Sequence, residues 1–80
     1  MSWTLVWSIA AERDLLWMPW RVAARIDAAA MRFAATGRGG ERLSATDPRR
    51  VRLRVSGAEA RLYLDPVPRI VLVVRVFRRE

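Results

Sequence analysis

The sequence contains no cysteine, no histidine and no lysine. Without cysteine the chain can form neither disulfides nor a thiolate metal site, so a reducing compartment is the simplest one to expect. Without histidine it lacks the usual general base at neutral pH and the commonest metal ligand. All 15 basic residues are arginine, whose guanidinium stays protonated and cannot serve as a nucleophile or a base. We therefore expect no metal and no cofactor.

Long apolar runs are missing as well. The longest, Ile70 to Val74, is far shorter than the roughly twenty residues that a membrane span requires. The opening residues 1–4 include no basic region ahead of an apolar stretch, so we expect no signal peptide. These features predict a cytoplasmic protein that does not bind a membrane.

Positive charge is the feature that the sequence has in excess. The 80 residues carry a net charge of +7, and a chain of this length forms one domain, residues 1–80, with a modest core. An excess of this size implies a polyanionic partner. Nucleic acid is the first candidate, and an acidic protein would satisfy the same charge.

The first half of the chain reads as a strand followed by two helices. Alternation of aromatic and polar residues over Ser2–Trp7 predicts the strand. Ser8 stands at the N-cap position of a short helix that ends at Pro19. From Trp20 apolar residues recur at helical spacing up to Gly37, which suits a helix C-cap.

The second half reads as a loop and three strands. Residues 37–48 are rich in glycine and small polar residues and predict a loop. Val51–Val55 and Ala58–Leu64 flank Ser56-Gly57, a spacing typical of a two-residue hairpin turn. Arg69–Phe77 is so apolar that it favours a central strand covered on both faces. The predicted fold is α+β, in the order strand, helix, helix, strand, strand, strand, with the helical hairpin packed on one face of a mainly antiparallel sheet.

Arginine alternates with aliphatic residues in the first strand of the hairpin. Arg50, Arg52 and Arg54 point to one face, which we call the arginine face, while the aliphatic residues point to the core. A two-residue turn fixes the register. It predicts three cross-strand pairs on the arginine face: Arg54 with Glu59, Arg52 with Arg61, and Arg50 with Tyr63.

The last strand is expected to extend the arginine face. Unbroken alternation places Arg75, Phe77 and Arg79 on this face, and Leu72, Val74 and Val76 on the opposite one. The result would be a basic cleft whose cations have no matching acids. It would be formed by Arg52, Arg61, Arg75 and Arg79, with Tyr63 and Phe77 as base-stacking surfaces.

Such a cleft suits RNA, whose backbone meets arginines while unstacked bases lie on aromatic rings. A phosphate between Arg52 and Arg61 would turn a repulsion of like charges into charge-assisted hydrogen bonds. The alternative interpretation is a solvated polar sheet face. Glu59 is the candidate acid or base of this surface, or a carboxylate that holds Arg54 in place.

Four stretches in this order resemble the RelE/ParE superfamily, the toxins of bacterial type II toxin-antitoxin modules. They are Trp7–Leu16, Met18–Ile26, Asp47–Val55 and Val73–Arg79. The short helical hairpin is more similar to the RelE branch, which cleaves mRNA on the ribosome, than to the ParE branch, which poisons DNA gyrase. The resemblance implies growth arrest through inhibition of translation by an mRNA interferase, and an acidic antitoxin, encoded adjacently, that binds the toxin in a hetero-oligomer.

The resemblance also implies roles for individual residues. The basic pair of RelE-like enzymes falls on Arg50 and Arg52, a further arginine on Arg54, and the arginine of the final strand on Arg79. We therefore expect Arg52, Arg79 and Glu59 as catalytic residues. The phosphate-binding set is Arg50, Arg52, Arg54, Arg61, Arg75 and Arg79, with Tyr63 and Phe77 stacking on bases.

Two departures from the family pattern leave alternatives open. Ala58 and Glu59 stand where the family usually has a Tyr-Arg pair, and Arg78 stands where a histidine is often found. The protein could therefore be a non-catalytic toxin acting on DNA gyrase, or an inactivated homologue that retains antitoxin binding, and its status as an enzyme is open.

Apolar residues cluster at the turn between the two predicted helices. Trp17, Met18 and Trp20 lie on either side of Pro19. Exposed apolar surface of this kind marks interfaces, so these residues are candidates for antitoxin binding. The alternative is that their side chains close the small core beneath the turn.

Overall fold

The computed structural model describes residues 1–79 of the chain as two helices and five strands. In chain order they are β1 (Thr4–Trp7), α1 (Ile9–Leu16), α2 (Trp20–Thr36), β2 (Gly40–Arg42), β3 (Arg50–Val55), β4 (Ala58–Asp65) and β5 (Ile70–Arg78).

Both helices begin where the sequence indicates, and α2 also ends there, whereas α1 ends at Leu16, before the predicted end at Pro19. The Ser8 side chain caps α1 by accepting a hydrogen bond from the Ala11 N–H. Pro19 lies directly before α2, where its missing N–H costs nothing. Gly37 ends α2 with φ of 76°, a left-handed conformation that glycine adopts without a Cβ penalty, and its N–H donates to the Phe33 carbonyl.

The five strands form one sheet in the order β1-β5-β4-β3-β2. β1 runs parallel to β5, and all other neighbours are antiparallel. This confirms the predicted α+β fold. The last strand is an interior strand over Ile70–Val73, where β1 and β4 flank it, while β4 is the central strand of the sheet. The loop predicted over residues 37–48 is wrong in part, because Gly40–Arg42 form β2 at the edge of the sheet.

The β3–β4 hairpin has the predicted register. Val55 is paired with Ala58 across the Ser56-Gly57 turn, and Gly57 has φ of 93°. On the arginine face Arg54 lies opposite Glu59, Arg52 opposite Arg61, and Arg50 opposite Tyr63. A two-residue turn therefore sufficed to fix which residues share a face.

A β-bulge in β5 overturns part of the prediction for the last strand. Arg75 is paired with Arg61, whereas Val73 is paired with Leu62, so Val74 is an extra residue between them. A bulge of one residue reverses the alternation of faces. Val76 points to the core as predicted, but Leu72 and Val74 lie on the arginine face, where the sequence analysis did not place them. β5 is therefore not covered on both faces.

The helices cover one face of the sheet, and the core lies between the helices and that face. α2 packs against β1, β3 and β4, and α1 packs against β5. The buried residues are Ala11, Ile26, Ala30, Phe33, Ala34, Val51, Leu53, Ala58, Ala60, Leu62, Val71, Val73 and Val76. The opposite side of the sheet, the arginine face, is not covered by a helix. In residues 1–79 no helix has the length and apolar character to span a membrane.

α1 also covers the part of β5 that extends beyond β1. The Ser8 hydroxyl donates to the Val74 carbonyl at 2.7 Å, and the Asp14 carboxylate accepts from the Val76 N–H at 2.8 Å. These two side chains take the place of a neighbouring strand for backbone groups of β5.

Candidate functional site

Glu59 is the centre of the arginine face. It lies on β4 and is the one charged residue among those described that is buried, with 4% of its surface exposed. Arg61 Nε donates to Oε2 at 2.7 Å, and Arg79 Nη1 donates to Oε1 at 2.9 Å. Arg54 Nε lies 3.6 Å from Oε1. Two strand residues, Arg54 and Arg61, and Arg79 directly after β5 thus direct their cations at one carboxylate.

These arginines control the protonation of Glu59. Burial disfavours the charged carboxylate and by itself raises its pKa, but the hydrogen bond from Arg61 and the charges of Arg61, Arg79 and Arg52 outweigh that effect. The pKa of Glu59 is therefore lower than that of an ordinary glutamate. The carboxylate is ionised at neutral pH, so it cannot donate a proton there and is a weak base.

The cluster formed by Arg54, Glu59, Arg61 and Arg79 carries more positive than negative charge, because three guanidiniums share a single carboxylate. A guanidinium has about five N–H donors, while a carboxylate offers about four acceptor sites. Most donors of the cluster therefore remain available. The side chains of the three arginines are 42–43% exposed, so an anion can reach them from solvent.

The remaining arginines of the predicted cleft are neutralised by other acids. Arg52 donates from both Nε and Nη2 to Glu41 Oε2 on β2, at 3.1 and 3.0 Å. Arg75 forms a two-bond pair with Asp14 of α1, at 2.8 and 3.0 Å. The expectation that Arg52, Arg61, Arg75 and Arg79 lack matching acids is therefore wrong.

These arginine–carboxylate pairs also reduce the number of arginines that meet in the predicted cleft. Arg75 lies opposite Arg61 in the sheet, but its guanidinium is bonded to Asp14 of α1 and not to Glu59. Arg50 lies 3.4 Å from Asp47 of the preceding turn. Of the six predicted phosphate-binding arginines, the structure gathers Arg54, Arg61 and Arg79 around one point and gives the other three separate partners.

Both predicted aromatic residues lie on the arginine face, at different places. The Arg61 guanidinium lies over the Phe77 ring, 5.2 Å from its centroid, so Phe77 belongs to the Glu59 cluster. Tyr63 is half-buried and its hydroxyl accepts from Arg49 Nη1 at 3.4 Å.

A shallow hollow of about 340 Å³ lies beside Tyr63. Leu72 and Val74 line it because of the bulge in β5, and Arg50 and Arg61 stand on its sides. Sequence reasoning missed Leu72 and Val74, since an apolar run has no alternation that could show where a bulge occurs. The hollow combines an apolar lining with cations.

The described residues contain no group of three or more His, Cys, Asp or Glu side chains that could hold a metal ion. The arginine face therefore offers anion binding and charge stabilisation by guanidiniums. For proton transfer its residues offer the Tyr63 hydroxyl and the ionised Glu59.

A second feature of the surface is the apolar corner, formed by Leu16, Trp17 and Trp20 where α1 meets α2. These side chains are 82%, 87% and 74% exposed. Met18, by contrast, is half-buried and packs against the core. The expectation that part of this apolar turn stays exposed is confirmed. A groove lined by Trp17, Met18 and Phe77 connects the corner to the arginine face.

Comparison with solved structures shows which known fold this chain has. A chain of the crystal structure of the toxin-antitoxin complex RelBE2 from Mycobacterium tuberculosis superposes with a TM-score of 0.75. The match covers 99% of this chain and 93% of that chain, at 22% sequence identity.

This chain has a RelE-like fold. A scan of protein-family models and a search of curated proteins give no match to the sequence. In the RelE-like fold of this chain, the central strand β4 carries Glu59 and Arg61, while β3 on one side contributes Arg54 and the residue after β5 on the other side is Arg79.

Proposed function

We propose that this RelE-like chain is the toxin of a bacterial type II toxin-antitoxin module and that it arrests growth by cleaving mRNA on the ribosome. The observation that carries the proposal is the agreement of fold with a chain of a toxin-antitoxin complex over 99% of the sequence. The arginine face supports RNA as the target, because it combines surplus guanidinium donors with an exposed aromatic ring.

In the proposed reaction the RNA 2′-oxygen attacks the adjacent phosphorus and forms a 2′,3′-cyclic phosphate, while the bond from phosphorus to the 5′-oxygen of the next nucleotide breaks. The 2′-hydroxyl gives up its proton and the leaving 5′-oxygen takes one up. Arg61 and Arg79 bind the phosphate oxygens on which negative charge develops, and they do so from positions already fixed by Glu59. Neighbouring phosphates are bound by the other predicted arginines, Arg50, Arg52, Arg54 and Arg75. Each of these side chains replaces part of its contact with its carboxylate partner by a contact with phosphate.

Glu59 and Tyr63 have separate roles in this proposal. Glu59 is a positioning residue, since its lowered pKa makes it a weak base and its two oxygens already accept from arginines. The Tyr63 hydroxyl beside Arg49 is the remaining group of the hollow that can exchange a proton. A base held in the apolar hollow would lie against Tyr63.

The proposed partner is an acidic antitoxin that binds at the apolar corner and neutralises the arginine face. Leu16, Trp17 and Trp20 form a cluster of largely exposed apolar side chains, the kind of surface that marks interaction sites. The groove with Trp17, Met18 and Phe77 leads from the corner to the Glu59 cluster. An antitoxin that follows this groove would cover Phe77 and exclude RNA. A toxin-antitoxin hetero-oligomer is the expected form of the protein in cells.

Induction of the chain in bacterial cells tests the proposed activity. Growth arrest should be accompanied by new 5′ ends within translated mRNA, mapped by sequencing, and by a fall in amino-acid incorporation. Arg79→Ala should lower the cleavage rate on programmed ribosomes about 100-fold, the scale for loss of one donor to a developing oxyanion. Arg42→Ala is the matched control, because it removes one exposed arginine from β2.

The same cells distinguish the other targets. Gyrase-linked DNA breaks without new mRNA ends would replace RNA cleavage with a non-catalytic action on DNA gyrase. Full growth in cells that contain the folded protein would leave an inactive homologue that only binds its antitoxin. Equal loss of activity in Arg79→Ala and Arg42→Ala would remove the Glu59 cluster from the mechanism.

A further inference from the structure

A second basic groove lies on the helical side of the sheet edge, between α2 and β3. We call it the α2–β3 groove, and its volume is about 330 Å³. It is lined by Ala28, Ala29, Arg32, Arg38, Gly39, Leu53, Arg54 and Val55. Apart from Arg54, none of these residues belongs to the arginine face.

The groove exists because β2 is short. β2 pairs with β3 only from Val51 to Leu53, so Arg54 and Val55 extend beyond the end of their neighbour. Gly39 precedes β2 with φ of 98°, and a Cβ built on it would meet no atom within 4 Å. The wall of the groove is therefore low at this point, and a ligand can enter from the edge of the sheet.

Arg32 and Arg38 supply the charge of the groove, together with Arg54. Both are exposed, and within residues 1–79 neither forms a salt bridge with a carboxylate. Arg54 has the longest of the three contacts with Glu59, at 3.6 Å, so its guanidinium is the most easily shared with an anion. The rim of the groove thus has three cations from three different segments of the chain.

The floor of the groove is aliphatic. It is formed by Ala28 and Ala29 of α2 and by Val55 of β3, with the buried Leu53 beneath them, and no aromatic residue lines it. Recognition of single-stranded nucleic acid depends on stacking of bases on aromatic rings, which the arginine face has and this groove lacks. Small aliphatic side chains with carboxylates between them match both the floor and the rim.

We propose that the α2–β3 groove binds an acidic peptide segment of a partner protein. Its carboxylates pair with Arg32, Arg38 and Arg54, and its small aliphatic side chains lie on Ala28, Ala29 and Val55. This surface is distinct from the apolar corner, and it shares only Arg54 with the proposed RNA-binding surface. The proposal requires neither toxicity nor RNA cleavage.

Fluorescence titration of the full chain tests the proposal with two probes of similar charge. One is a labelled 12-residue peptide of alternating glutamate and alanine or leucine, and the other is a labelled oligouridylate. The Arg32→Ala/Arg38→Ala double variant should bind the peptide about tenfold more weakly, because each exposed ion pair contributes up to about 1 kcal/mol. The Arg13→Ala/Arg42→Ala variant removes two exposed arginines elsewhere and should lose less than about threefold.

The two double variants should bind oligouridylate with equally reduced affinity, because both lower the net charge by the same amount. The Gly39 amide signal should shift on addition of the peptide in an NMR titration, since Gly39 lines the groove. All substitutions are at exposed positions, and thermal melts verify that each variant is folded. Failure of the peptide to bind the intact chain in physiological salt would overturn the proposal. So would a loss of oligouridylate binding specific to the groove variant, which would make the groove a nucleic-acid surface.

Discussion

At the scale of single residues, Glu59 decides the electrostatics of the arginine face. Without its carboxylate, Arg54, Arg61 and Arg79 would face one another across adjacent strands. Like charges at such distances destabilise a sheet. Glu59 turns this repulsion into a set of ion pairs and fixes the three side chains where an incoming anion would meet them.

We predict that Glu59→Gln lowers the free energy of unfolding by about 1–3 kcal/mol at low ionic strength, the usual cost of unpairing a buried hydrogen-bonding group. The amide keeps the size of the side chain and removes its charge. Urea titrations at several salt concentrations measure the effect. The deficit should shrink as salt screens the three arginines or as sulfate binds between them.

Glu41→Gln is the matched control for Glu59→Gln. It also removes a carboxylate bonded to arginine, but the Glu41 side chain is 48% exposed. An exposed pair contributes about 0–1 kcal/mol. A larger effect from Glu41 than from Glu59, or a Glu59 deficit that grows with salt, would contradict the central role of Glu59.

The sequence predicts the ion pair between Arg54 and Glu59, but it does not predict the pairs that join residues far apart in the chain. Arg54 and Glu59 are neighbours across a two-residue turn, so the local register places them together. Asp14 lies on a helix and contacts Arg75, which is 61 residues away in the sequence. Glu41 contacts Arg52 from β2, a strand that the sequence analysis did not predict. Long-range acids of this kind are fixed by tertiary packing, which alternation within a strand does not encode.

At the scale of elements, β2 and the bulge in β5 are the features that the sequence did not predict. The run Ile70–Val74 is apolar at every position, so both registers bury aliphatic side chains and the alternation cannot locate a bulge. β2 has no apolar alternation either, and all three of its residues are exposed. Residues 40–42 form a strand because their backbone pairs with that of β3.

Close packing explains why β2 begins with glycine. A Cβ on Gly40 would lie 2.6 Å from the Phe33 ring and 2.7 Å from a Val51 methyl group. Both of these side chains are buried. The absence of a side chain therefore lets the edge strand approach the core.

We predict that Gly40→Ala destabilises the protein by about 1–3 kcal/mol, the usual cost of overpacking a core. Thermal or urea unfolding measures the change. Arg42→Ala, two residues along the same strand and exposed, should change stability by less than about 0.5 kcal/mol. A neutral Gly40→Ala variant would mean that β2 does not pack against Phe33 and Val51 in solution.

At the scale of the whole molecule, the few acids are placed where they organise many cations. The chain has 8 acidic residues against 15 arginines. Four of the acids, Asp14, Glu41, Asp47 and Glu59, contact six arginines between them. The positive excess is thus concentrated on surfaces that a polyanion can reach, and the stability of the fold depends on a small number of carboxylates.

This dependence predicts a loss of stability in acid. The hydrogen bond from Arg75 lowers the pKa of Asp14, the N–H of Val76 lowers it further, and together they outweigh the opposing effect of burial. The pKa of Glu59 is lowered as well. In the unfolded chain both groups regain ordinary pKa values of about 4. As the pH falls through that range, the unfolded state binds protons before the folded state does, so unfolding becomes more favourable.

The free energy of unfolding should therefore be fully retained above about pH 5 and should fall steadily below it, until the two carboxyls are protonated in the folded state as well. Urea titrations between pH 7 and pH 3 measure this profile. The Asp14→Asn/Glu59→Gln variant should be less stable at pH 7 and should have a flatter profile, because it removes two carboxyls whose pKa is lowered in the folded state. Glu12→Gln/Asp27→Asn makes the same change of charge at exposed helix positions and should keep the slope of the parent chain. If both double variants had that slope, the acid sensitivity would come from net charge, and Asp14 and Glu59 would not be the groups that couple protonation to folding.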